Sequence, residues 1–142
     1  MTDSEKNLPR GLRNNNPLNI RHSSDHWQGL RDLQTDSAFC QFEDIFFGIR
    51  AAMVCVRTHI TQDRRKLLRC TVQREITRWA PATENDTIRY INFVCAEAHL
   101  QPDETLDFSK KNQICRLLFA MAKFENGRVV PFNYFERAYA MV

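Results

Sequence analysis

Glu125 is the residue whose setting first suggests chemistry. It follows Ile114, Leu118 and Met121 at helical spacing, so a helix over this stretch carries the carboxylate on its apolar face. A carboxyl group there loses hydration, its pKa rises, and it keeps a proton near neutral pH. A retained proton is what a glycosidic oxygen needs in order to leave. The competing reading is a helix-end carboxylate turned to water, where it opposes the helix dipole.

The run Arg10 to Arg21 is the second candidate. Asn14, Asn15 and Asn16 precede Pro17, and Asn19 follows, which concentrates amide donors and acceptors on a constrained backbone. Such a surface suits the hydroxyl and acetamido groups of a sugar chain. It equally describes a tight, hydrogen-bonded turn.

Glu84, just after Trp79-Ala80-Pro81, is the third candidate. It offers a second carboxylate beside an indole on which a sugar stacks. Yet Glu84 and Asp86 also suit the first turn of a helix, as do Glu43 and Asp44 before Ile45. His22 and His26 have ligand-like spacing, but no further ligand converges on them, so neither metal nor cofactor is expected. Neither a Gly-rich phosphate loop nor a Gly-x-Ser-x-Gly elbow occurs. Arg64, Arg65, Lys66, Arg69, Arg74 and Arg78 form a basic stretch that reads as a solvated face, and nucleic acid is not the expected partner.

The elements that must hold these groups are mostly helical. Ile45, Ile49, Met53, Val56 and Ile60 recur at helical spacing, as do Leu68, Val72, Ile76 and Trp79 before Pro81. Thr83 and Asp86 read as a capping-box variant opening a third helix, with Ile88, Ile91, Val94 and Ala98 on one face. A fourth runs through Ile114, Leu117, Met121 and Phe124 to a stop at Gly127, and Pro131 to Val142 reads as a last short helix. Between Arg10 and Phe42 the chain is irregular, with turn chemistry that predicts a small β-hairpin or extended loop. The expected organisation is a flexible lead over 1–9 and one mostly α (α+β) domain over 10–142, a normal length for a single core.

The five cysteines are widely spaced and odd in number, which argues for free thiols and a reduced place of synthesis. The polar start has no apolar region of a secretory signal, and no apolar run approaches membrane-spanning length, so no membrane insertion is expected. A net charge of +3 fits an anionic polymer as partner without selecting one.

The string Arg10-Gly11-x-Arg13-Asn14-Asn15-Asn16-Pro17-x-Asn19-Ile20-Arg21 resembles a phage and prophage family of virion-associated proteins and peptidoglycan hydrolases. So do Trp27-x-Gly29, Phe47-Gly48-Ile49-Arg50-Ala51 and Trp79-Ala80-Pro81-x-x-Glu84-Asn85-Asp86-Thr87-x-x-Tyr90-Ile91. Ala120 to Gly127 also resembles the helix end that presents the catalytic acid in lysozyme-like folds. The resemblance implies a lysozyme-like helical domain with a small β-hairpin lobe, circularly permuted because the Asn-rich string here precedes the acid. It implies a lysozyme or lytic transglycosylase cutting the β-1,4 bond between muramic acid and glucosamine. Glu125 and Glu84 are then catalytic, and Asn14, Asn15, Asn16, Asn19, Arg21, Trp27 and Tyr90 bind glycan. The expected place of action is the cell wall, reached from the bacterial cytoplasm after lysis or in a virion. The alternative is a non-catalytic virion or wall-binding protein.

Overall fold

The computed structural model describes residues 7–81 and 86–142, and among these it has six helices and no extended strand. Helix α1 spans Arg10–Arg13, α2 Ile45–Arg65, α3 Val72–Trp79, α4 Thr87–Ala98, α5 Lys111–Asn126 and α6 Phe132–Tyr139. The fold is therefore mainly α. Ile114, Leu117, Leu118 and Met121 of α5 are fully closed to solvent. Each such side chain contributes roughly 1.5–3 kcal/mol of transfer free energy. α5 packs against α4 and α6, α6 against α2, and α3 against α4.

The helix boundaries follow local chemistry. Asp44 caps α2, its Oδ1 accepting from the Phe46 amide at 2.9 Å, and Thr71 caps α3, its Oγ1 accepting from the Arg74 amide at 3.2 Å. Gly127 ends α5 at φ +66°, the left-handed conformation that lets a helix close its last turn. Three expectations need correction. Leu68 is not on a helix but 46% exposed, because α2 ends, Leu67 turns the chain at φ +59°, and α3 starts only after Thr71. Ile88 is 73% exposed, since α4 buries the face of Thr87, Tyr90, Val94 and Ala98 instead. The cap of α4 is Asp86 itself, whose Oδ1 accepts from the Arg89 amide at 3.1 Å. Thr83, Glu84 and Asn85 lie outside the described residues.

The segment 14–43 is irregular. Two isolated antiparallel bridges, Arg21 to Phe39 and Leu30 to Phe42, stand where a hairpin was expected, and no regular strand forms among the described residues. Backbone bonds flank each bridge, from the His22 and Cys40 amides to the carbonyls of Ala38 and Ile20 and from the Arg31 and Glu43 amides to those of Gln41 and Gly29, and side chains reinforce them. Gln34 Nε2 donates to the carbonyls of Arg31 and Gln41, and Arg31 Nε donates to that of Phe42. The end of the expected lead is also seated, since the Asn7 carbonyl accepts from Arg128 Nη2 at 3.2 Å. All five cysteines are unpaired. None of the described helices is long and apolar enough to cross a membrane.

Candidate functional site

The last turn of α5 lies against the Asn-rich loop, and small contacts explain why. Gly11 has no side chain, and a Cβ there would come within 2.6 Å of Asn126 Oδ1 and 2.9 Å of Asn19 Oδ1. Asn126 is buried and donates from Nδ2 to the carbonyl of Pro17 at 2.8 Å, which ties the helix end to the loop. Gly48 does the same for α2, where a Cβ would overlap the Asn15 carbonyl. Asn15 and Asn19 both adopt positive φ, at +52° and +53°, a region that asparagine tolerates better than other side chains.

This arrangement brings Asn19 to Glu125 across 106 positions of sequence, with Nδ2 donating to Oε1 at 3.4 Å. Glu125 is half-buried in a cleft of about 430 Å³. Loss of hydration raises its pKa above the usual glutamate range, and the Asn19 amide opposes that shift only in part. Trp79 and Phe39 give the cleft aromatic surface, Arg21 and Arg78 give it positive charge, and His59 adds an imidazole. Trp79 is oriented by its own Nε1, which donates to the carbonyl of Leu18 at 2.9 Å. The guanidinium of Arg21 lies over the Phe39 ring, 5.1 Å from its centre. Among the described residues lining the cleft, Glu125 is the sole carboxylate.

The other expected site residues divide sharply. Asn19 and Arg21 line the cleft with Glu125. Asn16 is fully buried, donating to the carbonyls of Ile20 and Cys40 and accepting from the Ile20 amide. Asn14 is buried between Asp36 and Gln41, and Asn15 donates to the carbonyl of Phe42. These three amides are spent on the loop's own backbone and side chains, and none of them lines this cleft.

Trp27 packs against the core, and Tyr90 is only 1% exposed, its ring stacked on Phe124 with 4.1 Å between centres. Burial first, and the charge of Glu125 second, push the Tyr90 phenol well above its ordinary value. Tyr90 is thus packing beneath the cleft rather than part of its surface. Glu84 lies outside the described residues.

A larger hollow of about 630 Å³ lies between Arg10, Arg13, Asn14, Asn15, Arg31 and Asp36. Asp36 is already clamped there by Arg10 and Asn14, and the Arg10 hydrogen bond holds its carboxyl far below the usual range. A carboxylate so stabilised is no proton donor.

His59 and Phe39 are cleft residues that the sequence argument passes over, and Arg78, read there as part of a solvated basic face, instead lines the cleft and binds Asp63 at 2.7 Å. A signal for the first existed. Glu75 sits on the same apolar stripe as Val72, Ile76 and Trp79, and a carboxylate so placed needs a partner, which proves to be His59.

No family model matches the chain. Over 130 residues it is 37% identical to a phage protein, "Protein P5" of Pseudoalteromonas phage PM2, covering 89% of this chain and 76% of that protein.

Proposed function

The chain belongs to the family of Protein P5 of Pseudoalteromonas phage PM2, and from the geometry of its cleft we propose that it cleaves the glycan strands of peptidoglycan. The observation that carries this reading is Glu125: a half-buried carboxyl with a raised pKa, touched by the Asn19 amide, in a cleft with aromatic walls. Glu125 holds a proton and gives it to the glycosidic oxygen between muramic acid and glucosamine as that bond breaks. Asn19 orients the carboxyl through Oε1. Trp79 and Phe39 offer faces on which sugar rings pack. Attack by water completes a hydrolysis, and attack by the muramic 6-hydroxyl completes a lytic transglycosylation. Glu84, close in sequence to cleft residue Ala80, is the second carboxylate to test under this reading.

The fold that accompanies this chemistry is a lysozyme-like domain in permuted order, with the Asn-rich lobe first and the acid helix late. The protein reaches its substrate after lysis or as part of a virion.

The test is incubation of purified protein with isolated bacterial walls. Loss of turbidity and release of soluble muropeptides are expected. Reducing muramic ends identify hydrolysis and anhydro-muramic ends identify transglycosylation. Walls that bind the protein yet stay intact identify the non-catalytic wall-binding protein instead.

A further inference from the structure

Glu75 on α3 has a side chain with no solvent exposure. An ionised carboxylate in that position needs charged or hydrogen-bonding partners to offset its lost hydration. It has two. His59 Nδ1 lies 2.8 Å from Oε1 and 3.1 Å from Oε2, and Arg78 Nε lies 3.3 Å from Oε1. Because the carboxylate only accepts, the Nδ1 of His59 carries the hydrogen, and the other ring nitrogen, Nε2, keeps its lone pair while the ring is neutral. Nε2 stands on the ring edge away from Glu75. The His59 side chain is 25% exposed, and the residue lines the same cleft as Glu125.

The charges around the imidazole are paired with one another. Asp63, one turn further along α2, is bound by Arg74 at 3.0 Å and Arg78 at 2.7 Å. Asp63 and Glu75 therefore balance Arg74 and Arg78 with the ring neutral, and Glu75 is the adjacent counter-charge once the ring is protonated. Arg21 and Glu125 are the other charged groups of the cleft.

We propose that His59 is a second proton-handling residue of this cleft, and that Glu75 positions it. The proposal rests on the glycan-cleavage reading above. As the bond from the sugar's anomeric carbon to the glycosidic oxygen breaks, Glu125 gives its proton to that oxygen. The attacking hydroxyl, of water or of the muramic 6-position, forms its bond to the anomeric carbon and releases its proton to His59 Nε2. The step ends with Glu125 ionised and His59 as imidazolium. Transfer of one proton back through solvent restores both. A buried carboxylate that fixes the tautomer of an imidazole and steadies its charged form performs the same service in other acid–base sites.

Two measurements test this. In nitrogen-15 NMR of the wild-type protein, the hexamer of N-acetylglucosamine should shift the His59 ring signals together with the Trp79 indole signal. In wall cleavage, His59→Asn keeps a donor for Glu75 but cannot titrate. It should lower the rate about tenfold or more and remove the acidic limb of the pH profile, while hexamer affinity changes less than about threefold. Glu75→Gln should displace that limb without abolishing it, which a merely structural role does not predict.

A Trp79 shift with unmoved His59 signals overturns the proposal and leaves the cleavage reading standing, as does an unchanged pH profile in His59→Asn. If the hexamer moves neither residue and walls stay intact, the cleavage reading fails and takes the proposal with it. The ring signals come from wild type, so the outcome does not depend on either variant folding.

Discussion

At the scale of single residues, the site turns on what burial does to acids. The folded pKa of Glu125 lies above its ordinary value of 4.5, so folding favours the protonated carboxyl and that advantage fades as pH rises through the folded value. Glu125→Gln should therefore be more stable than wild type in urea unfolding at pH 7 and no different well below pH 4. A gain that ignores pH, or a loss at pH 7, contradicts the burial of this carboxyl. Burial also pushes the Cys55 and Cys70 thiols up to about 12 and Cys115 to about 11. A thiol reagent should accordingly find these three slow in the native protein and count all five cysteines after denaturation without reductant. A denatured count below five disproves the free-thiol assignment. Glu125 was legible in the sequence because an acidic residue on an apolar stripe is a local pattern. The direction of Asn14 and Asn16 was not. An amide's type is written in the sequence, whereas its partners, Asp36, Gln41 and Cys40, are set by loop geometry twenty or more residues away.

At the scale of elements, the Asn-rich loop works as a bracket between α2 and α5. Asn16→Ala leaves the carbonyl of Cys40 and the amide of Ile20 without their side-chain partner in a buried place, while the Ile20 carbonyl keeps the Cys40 amide. A loss of about 2 kcal/mol is expected in chemical denaturation, since each stranded group costs on the order of 1 kcal/mol or more. Gly48→Ala places a methyl group on the Asn15 carbonyl, and backbone shifts of that kind typically cost about 1–3 kcal/mol. Either variant with wild-type stability refutes the bracket. The helices were readable where a stripe and a cap coincide, as in α5 with Gly127. Where a stripe extends past a cap it misleads, as at Leu68 before Thr71, and at Ile88 two overlapping stripes left the buried face of α4 undecided. The lobe was readable as irregular but not as a set of side-chain bridges, because Gln34, Arg31 and Gln41 carry no pattern that announces a ladder.

At the scale of the whole molecule, two buried acids join separate parts of the chain. Asp36 binds Arg10 of α1, and Asp63 on α2 binds Arg74 and Arg78 of α3. Both folded pKa values lie well below 3.8, principally through those arginine hydrogen bonds. The stability they confer is complete above pH 4 and falls away as pH drops toward the folded values. Acid titration of thermal stability should show this loss, and Asp63→Asn should flatten it while lowering stability at pH 7 by about 2 kcal/mol, less than for a fully buried pair because water screens the arginines. An unchanged acid limb contradicts that role. The same architecture sets Glu125 in its cleft, and the decisive measurement is the rate of muropeptide release from purified walls by wild type and by folded Glu125→Gln. The account predicts release by wild type and a loss on the order of a hundredfold in the variant. Release at an undiminished rate by Glu125→Gln, or none from wild type, contradicts it.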